Sequence, residues 1–362
     1  MAVPIPATVS IIPMVQEIHI PAKKSTLYRR GNYMEAYNIS RVSFNTQRMF
    51  QENPPEIFSE NKLAVYRVAC PTGATQNGEI HFSRWRAVPL PYETIISTWK
   101  TDFVIREDVF GYEPTIKEGL VEWYLNFSNY ELFTDYGGPL FAQDEMQVAE
   151  HPALGSLREA LLKRGASCRT VENDYPTPVL IRNVERRCSI DTKPCEERPY
   201  GLYGSEFACA RPNEIKRAVT PINPPTISNI IAIEAPADGC GAYSAEAVKY
   251  ILSTALTGFS AARHESLSVC GAKEVAIHTG FWGCGAYGGN RILMTILQLI
   301  AANVGSIDRL VFHAVNKQGV EDVKKALDVM RNSIRYPSII QVDNLIDQIV
   351  AQGFEWGESD GN

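Results

Sequence analysis

The sequence predicts an α/β fold in which helices flank a mixed sheet. From about residue 225 onward, apolar strand patterns alternate with helical ones, and this alternation implies parallel strands covered by helices. Before that point, the chain carries a series of β-rich stretches. The composition supports a globular protein, because 45% of the 362 residues are apolar and only 21% are charged. A chain of this length can form one large domain or two smaller ones.

The first half of the chain is predicted to be rich in strands. Residues 1–56 are polar and dotted with proline, and we interpret them as an N-terminal accessory segment with one amphipathic stretch at Arg41–Gln51. The strands predicted here are Lys62–Ala69, Glu79–Ser83, Val121–Phe127 and Pro178–Val184. Two short helices are predicted over Phe141–Glu150 and Leu154–Lys163, and the first should stop near His151 because a residue before proline disfavours the helical conformation.

The second half is predicted to alternate between strand and helix. Arg211–Pro225 contains four prolines and is interpreted as a long connection. The strands predicted after it are Ile227–Ala235, Glu274–His278 and Arg309–Val315. The helices predicted between and after them are Ser244–Leu256, Arg291–Asn303, Val320–Arg331 and Asp343–Ala351. A frayed acidic tail is expected at the end.

Composition excludes several classes of function. The chain has 35 basic and 41 acidic residues, and a net charge of −6 argues against non-specific nucleic-acid binding. No run approaches the ~20 apolar residues of a membrane span, and the first residues lack the basic region of a secretory signal. The eight cysteines are too sparse for a disulfide scaffold and show no zinc-binding spacing. We therefore expect free thiols, no metal or cofactor, and a cytoplasmic location, with a nuclear one left open.

A glycine-rich loop is the most informative segment. Five glycines lie within ten positions after the predicted strand Glu274–His278, and a helix follows them. Glycine lets the backbone approach a ligand closely, and the first turn of a helix offers unpaired N–H groups to phosphate oxygens. The loop fits neither the GxxxxGK[ST] nor the GxGxxG pattern, so it predicts a diphosphate cradle and not an ATPase. The alternative is a tight connection made of small residues.

Two adjacent acids, Asp144 and Glu145, open the helix predicted at Phe141–Glu150. Carboxylates in a first turn are stabilised by the helix dipole, and that alone would explain them. Beside a bound sugar, the same pair could perform acid–base work on a glycosidic bond.

These segments together resemble the poly(ADP-ribose) glycohydrolase (PARG) family, a divergent branch of macrodomains. Trp282–Gly289 (WGCGAYGG) is similar to that family's diphosphate loop, WGCGAFGG. Phe127-Ser-Asn129, followed fourteen positions later by Gln143-Asp-Glu145, is similar in spacing to the family's FAN and QEE motifs. Ile230–Ala235 and Tyr200–Phe207 resemble two further segments. The resemblance implies a macrodomain over residues 57–335, preceded by the accessory segment 1–56 and followed by a C-terminal helix and tail over 336–362.

The resemblance also implies roles for individual residues. Glu145 would be the main catalytic acid, with Asp144 beside it. The family's triple glycine aligns with Phe133-Thr-Asp135, and Asp135 would add a carboxylate able to steer a cationic guanidinium. The implied ADP-ribose-binding residues are Asn129, Gln143, Trp282, Gly283, Cys284, Gly285, Ala286, Tyr287, Gly288, Gly289, Asn290, Tyr203 and Phe312. Tyr203 would cover the sugar and Phe312 would face adenine, although both could equally be packing residues. His278 and His313 are predicted to be hydrogen-bonded core residues.

The function implied by this resemblance is ADP-ribosyl hydrolysis on ADP-ribosylated proteins. Because the triple glycine is replaced, the expected substrate is mono-ADP-ribose, linked to arginine as in a subgroup that includes a bacterial effector acting on ubiquitin. Serine and glutamate linkages stay open. The alternatives are a PARG that cleaves ribose–ribose bonds, and a reader that binds ADP-ribose without catalysis.

Overall fold

The computed structural model describes residues 33–94, 99–113, 116–237, 239–334 and 339–359. Most of the predicted accessory segment, residues 1–32, and part of the predicted tail lie outside these ranges. The described chain divides into two compact units. The first comprises the residues up to 39, 85–125 and 235–358, and the second comprises 40–84 and 126–234. The predicted boundaries at residues 56 and 335 stay predictions.

The strands and helices are numbered in chain order. The strands are β1 (Asn38–Asn45), β2 (Glu79–Trp85), β3 (Glu93–Thr94), β4 (Asp102–Arg106), β5 (Leu120–Phe127), β6 (Val171–Glu172), β7 (Tyr175–Pro176), β8 (Val179–Ile190), β9 (Val219–Ile233), β10 (Glu274–Thr279), β11 (Arg309–His313) and β12 (Ile340–Gln341). The helices are α1 (Thr46–Glu52), α2 (Glu60–Ala69), α3 (Gln143–Glu150), α4 (Ala153–Lys163), α5 (Ser205–Cys209), α6 (Pro212–Ala218), α7 (Ala245–Ser268), α8 (Arg291–Val304), α9 (Lys317–Asn332) and α10 (Val342–Val350).

The first unit is built on parallel strands. β10 lies between β5 and β11, and β4 pairs with the other side of β11. The register places Ile277 opposite both Trp123 and Leu310. Each of these side chains is fully buried, as are Ile296 and Leu297 of α8. The glycine-rich loop leaves the carboxyl end of β10, which is where α/β proteins commonly bind ligands.

The second unit is built on antiparallel strands. β8 pairs with β2 on one side and with β9 on the other. Leu180 and Ile231 face each other in this ladder and are fully buried. The predicted α/β class is confirmed, with parallel pairing in one unit, antiparallel pairing in the other, and helices in both.

The predicted strand at Lys62–Ala69 is wrong, because these residues form helix α2. The β-branched and aromatic residues in this stretch suggest a strand, but their burial follows a helical spacing. Lys62, Val65 and Ala69 are buried on one face. Ser59 caps the helix by accepting a hydrogen bond from the Lys62 amide at 3.4 Å. The amphipathic stretch predicted at Arg41–Gln51 is likewise divided between β1 and α1.

The long connection predicted at Arg211–Pro225 is also wrong. It consists of α6 and the first half of β9. Pro212 stands in the first turn of α6, where a missing N–H is tolerated. Pro224 and Pro225 lie beside a register irregularity between Arg186 and Cys188 of β8. Proline can sit in a strand at such a place because the ladder bonds are interrupted there.

The remaining predicted elements are present, with shifted ends. α7 extends twelve residues beyond its predicted end at Leu256, β8 continues to Ile190, and β4 has no predicted counterpart. All eight cysteines are free, as expected. Within the described residues, no helix is both long enough and apolar enough to traverse a lipid bilayer.

We expect His151 to make stability depend on pH. This buried imidazole is hydrogen-bonded between Gln147 O (2.8 Å) and the Ser228 hydroxyl (3.0 Å), and burial lowers its pKa to about 3. The unfolded chain therefore binds the proton first, so stability should fall as the pH drops from 6.5 toward 3, by up to about 1.4 kcal/mol per pH unit. Urea unfolding of the protein and of His151→Gln across this range tests this, and equal slopes would contradict it.

Candidate functional site

The glycine-rich loop of the first unit, residues 280–290, is closed by its own backbone. The Gly289 amide donates to Gly283 O at 2.8 Å, and the Gly288 amide donates to Gly285 O at 2.9 Å. Gly283 has a φ of +74°, and a Cβ there would overlap that of Ala235. A Cβ on Gly289 would lie 2.5 Å from Gly283 O. The loop therefore requires glycine at both positions.

The loop leaves a set of amide donors unused. Within the described residues, the amides of Gly283, Gly285 and Ala286 donate to no acceptor. Two amides in the first turn of α8 are occupied, since Asn290 Oδ1 accepts from Ile292 and Leu293 at 3.1 Å each. The main-chain amide of Arg291 donates to no acceptor within the described residues, so this end of the helix keeps one donor for a phosphate. The other unused donors belong to the loop, and successive main-chain amides in such turns are a common means of binding anions.

The C-terminal segment holds this loop in place. Gly357 donates its amide to Gly288 O at 2.7 Å, and Asn290 donates its side-chain amide to Glu355 O at 2.9 Å. Trp356 stacks on Tyr243, with ring centroids 4.2 Å apart. The Tyr243 hydroxyl accepts a hydrogen bond from the main-chain amide of Asn290 at 3.0 Å. The tail predicted to be frayed is therefore ordered at these residues. Burial raises the pKa of Tyr243 to about 12, so its hydroxyl stays protonated.

The other predicted binding residues of the first unit differ in exposure. Trp282 is buried, Tyr287 is half-buried and Ala286 is exposed. Burial raises the pKa of the Cys284 thiol, which favours its protonated, less reactive form. Phe312, predicted to face adenine, is fully buried, and its ring packs edge-on against Phe103 and Phe281 at centroid distances of 6.3 and 5.1 Å.

The two predicted core histidines are confirmed as hydrogen-bonded. His278 Nδ1 and His313 Nε2 lie 3.0 Å apart in the interior of the first unit. The outer nitrogens contact carboxylates, with His278 3.2 Å from Glu122 and His313 2.7 Å from Asp108. Every ring nitrogen thus has a partner, which is what a buried imidazole requires.

The predicted acids lie in the second unit, at the first turn of α3. Each of the three residues that open this helix makes a defined contact. Gln143 Oε1 accepts from the Phe127 amide at 2.8 Å, which ties the helix to the end of β5. Asp144 Oδ1 accepts from the Asn126 side chain at 2.8 Å. Glu145 Oε2 accepts from the Ala142 amide at 2.9 Å, an arrangement that caps the helix.

Burial perturbs both carboxyl groups. Asp144 and Glu145 are 7% and 4% exposed. Desolvation raises the pKa of Asp144 well above its usual range, and the neighbouring charge of Glu145 raises it further. Desolvation also raises the pKa of Glu145, and the positive charge of Lys62 opposes this. Titratable pairs with raised pKa values are typical of acid–base sites.

The loop that carries Asp135 is anchored at several points. Phe133 has a φ of +55°, a conformation that favours glycine, and its ring is fully buried. Arg158 donates to Leu132 O at 2.7 Å. Gly137 O accepts from the amides of Phe58 and Ser59 at 2.9 and 3.0 Å. The Asp135 side chain is exposed at this fixed turn.

Two predicted binding residues lie on neighbouring loops of the same unit. Asn129 Oδ1 is 3.4 Å from the Glu131 amide, and Asn129 O accepts from the Thr170 hydroxyl at 2.7 Å. Tyr203 is 40% exposed, and the next residue, Gly204, donates its amide to Phe141 O at 2.9 Å.

Sequence reasoning missed two titratable groups in this unit. Glu234, directly after β9, accepts from the Tyr130 amide, and burial raises its pKa to about 7. Lys62 donates to Asp135 O at 3.2 Å and is only 3% exposed. The sequence did not predict the position of Lys62, because its segment was interpreted as a strand. Ser59, a residue that commonly caps helices, was the signal that a helix begins there. No cluster of three or more His, Cys, Asp or Glu residues suited to a metal occurs in the described ranges.

Comparison with known families identifies the region of the glycine-rich loop. Residues 199–322 match the model of a family described as poly(ADP-ribose) glycohydrolase (PARG), macro domain fold. This stretch contains the loop at 280–290 and strands β9, β10 and β11. This part of the chain is similar to the PARG macro domain. The resemblance inferred from the sequence motifs is thereby confirmed, and the family it points to consists of glycosidase-type hydrolases.

Solved structures similar to this chain include PARGs from two organisms. The enzyme from Thermomonospora curvata is 13% identical, with a TM-score of 0.45, covering 74% of this chain and 98% of its own. The same enzyme bound to the inhibitor ADP-HPD is 15% identical, with a TM-score of 0.41, covering 62% and 78%. PARG from Deinococcus radiodurans in complex with ADP-ribose is 10% identical, with a TM-score of 0.38, covering 86% and 99%. No curated protein matches the chain.

Proposed function

We propose that this protein is an ADP-ribosyl hydrolase that releases single ADP-ribose units from modified proteins, with arginine as the linked side chain. The observation that carries the proposal is the acid pair Asp144 and Glu145, buried at the start of α3 with pKa values raised by desolvation. The family match over residues 199–322 supports ADP-ribose as the ligand class. Ubiquitin modified on arginine is one candidate substrate.

The glycine-rich loop is proposed to bind the diphosphate. The unused amides of Gly283, Gly285 and Ala286 supply hydrogen bonds that need no basic side chain. This explains how a protein with a net charge of −6 can bind a dianion. Binding energy gained at the diphosphate, remote from the reacting atom, serves to orient the sugar.

The acids are proposed to act at the anomeric carbon. As the C–N bond breaks, the ribose develops oxocarbenium character, which a carboxylate stabilises. Glu145 positions the attacking water and takes its proton, and the water oxygen forms the new bond to the anomeric carbon. The electron pair of the broken bond stays on the guanidine nitrogen, which receives that proton. The products are ADP-ribose and an unmodified arginine.

The loop at 128–142 favours a single unit over a chain. Phe133-Thr-Asp135 aligns with the triple glycine of the PARG family. Here the Phe133 ring is buried in the core and the Asp135 carboxylate is exposed. Arg158, Phe58 and Ser59 hold this loop by hydrogen bonds. A fixed loop with a negative charge suits a cationic guanidinium better than a second, anionic ADP-ribose unit, because like charges repel.

A single-turnover assay on defined substrates tests the proposal. Proteins carrying one ADP-ribose on arginine, serine or glutamate are compared with poly(ADP-ribose), and released ADP-ribose is quantified. We expect release from the arginine linkage and none from the polymer. Release from the polymer would instead establish a PARG, and binding of ADP-ribose without any release would establish a reader.

A further inference from the structure

A buried lysine lies beside the acid pair. Lys62 is in the first turn of α2 and is only 3% exposed, although lysine is rarely buried without a partner. Its ammonium group donates to Asp135 O at 3.2 Å and lies 6.0 Å from the centre of the Phe141 ring. These two contacts place it between the Asp135 loop and the residue that precedes α3 by two positions.

Helix α2 is fixed on both sides of this lysine. On one side, the amides of Phe58 and Ser59 donate to Gly137 O. On the other, the Asn61 side chain donates to Phe207 O at 2.7 Å and to Ala210 O at 2.9 Å. These bonds fix the backbone of α2 from which the Lys62 side chain extends, and that side chain is itself buried.

The charges of three carboxylates act on this ammonium group. Asp135 comes from the loop, and Asp144 and Glu145 come from α3. Burial lowers the pKa of Lys62 to about 8, while the charges of Glu145, Asp144 and Asp135 oppose that shift. In return, the Lys62 charge lowers the pKa of both Glu145 and Asp144. Lys62, Asp144 and Glu145 are therefore electrostatically coupled in the interior of this unit.

We propose that Lys62 is a positioning residue, which holds Glu145 and Asp144 in the ionised form and fixes the Asp135 loop through its backbone carbonyl. The inference rests on the proposed function, because it assigns a purpose to keeping these carboxylates charged. A carboxylate that stabilises an oxocarbenium ion must carry its charge, and burial opposes that charge by raising the pKa. The positive charge of Lys62 counteracts this effect of burial.

The pH dependence of kcat/KM tests the inference. In a bell-shaped or sigmoid profile, the acidic limb reports the pKa of the essential carboxylate in the free enzyme. We expect Lys62→Met to move this limb to higher pH by about one unit, which is about a tenfold loss of kcat/KM on the acidic side. Lys62→Arg keeps the charge and should leave the limb in place. A merely structural role would lower the plateau of both variants without moving the limb.

A second measurement needs no substrate. Titration of ¹³C-labelled lysine side chains by NMR should show one Cε resonance with a midpoint near 8, absent in Lys62→Arg. In Glu145→Gln this midpoint should fall further, because the largest opposing charge is removed. An unchanged midpoint in Glu145→Gln would overturn the inference.

Controls separate this inference from the proposed function. Lys216→Met removes an exposed lysine of the same unit and should change neither the limb nor the Lys62 titration. If the protein releases no ADP-ribose from any substrate, the proposed function fails. The NMR titration would still test whether the charges of Lys62 and Glu145 are coupled. If turnover depends on Glu145 but Lys62→Met leaves the limb unmoved, only the role of Lys62 fails.

Discussion

Glu145→Gln should abolish release of ADP-ribose, with a loss of at least about a hundredfold and up to about ten-thousandfold in kcat. Glutamine cannot carry the negative charge that stabilises an oxocarbenium ion, and it cannot accept a proton from water. It can still accept the hydrogen bond from the Ala142 amide, so the first turn of α3 keeps its cap. Single-turnover release from the arginine-linked substrate measures this effect.

Binding should survive the same substitution. The amide donors assigned to the diphosphate belong to the glycine-rich loop and not to α3. We expect the ADP-ribose affinity, measured by calorimetry, to change by less than about tenfold, or under ~1.4 kcal/mol. Glu246→Gln, which alters an exposed glutamate in the first turn of α7, should change neither binding nor turnover. Unchanged turnover in Glu145→Gln would refute the assignment of the catalytic acid.

The stability of Glu145→Gln gives an additional check. Because burial raises the pKa of Glu145 in the folded chain, its ionisation destabilises the fold at any pH above the unfolded value. The neutral glutamine does not carry this cost, so the variant should unfold at a temperature no lower than the parent at about pH 7. An inactive variant that also unfolds early would report damage to the fold.

The features predictable from sequence were those with local signals. The glycine-rich loop and the acids at 144 and 145 could be found because glycine spacing and first-turn carboxylates are visible in a short window. The alternation of strand and helix after residue 225 predicted parallel pairing, and β10 and β11 confirm it, whereas β9 pairs antiparallel with β8.

The features that escaped prediction depend on distant partners. The stretch at Lys62–Ala69 is rich in β-branched and aromatic residues, and only packing against the rest of the second unit decides that it is helical. The first half of β9 was not predicted because Pro224 and Pro225 are unfavourable in a regular strand. They are accommodated here because the pairing with β8 is irregular beside them. Trp356 stacks on Tyr243, although the two residues are far apart in the sequence, and no local sequence pattern predicts this contact.

Gly289→Ala should lower the ADP-ribose affinity by more than about a hundredfold, or about 2.7 kcal/mol. The added Cβ would lie 2.5 Å from Gly283 O, and that obstacle is backbone, which cannot swing aside. The hydrogen bond from the Gly289 amide to Gly283 O would have to break, and the loop that carries the unused amides of Gly283, Gly285 and Ala286 would have to change its conformation. Calorimetry with free ADP-ribose measures the loss, and turnover at low substrate concentration should fall with it.

A matched glycine separates this effect from general strain. Gly271 has a φ of +64°, and a Cβ added there would meet no atom within 4 Å, so Gly271→Ala strains the backbone without disturbing the loop. It should bind ADP-ribose as the parent does, although it unfolds at a somewhat lower temperature. A second variant, Ala286→Asp, introduces no backbone clash and places a negative charge on the exposed loop. Repulsion of the diphosphate should then weaken binding in a salt-dependent manner. If both loop variants bind ADP-ribose normally, the unused amides do not form the diphosphate site.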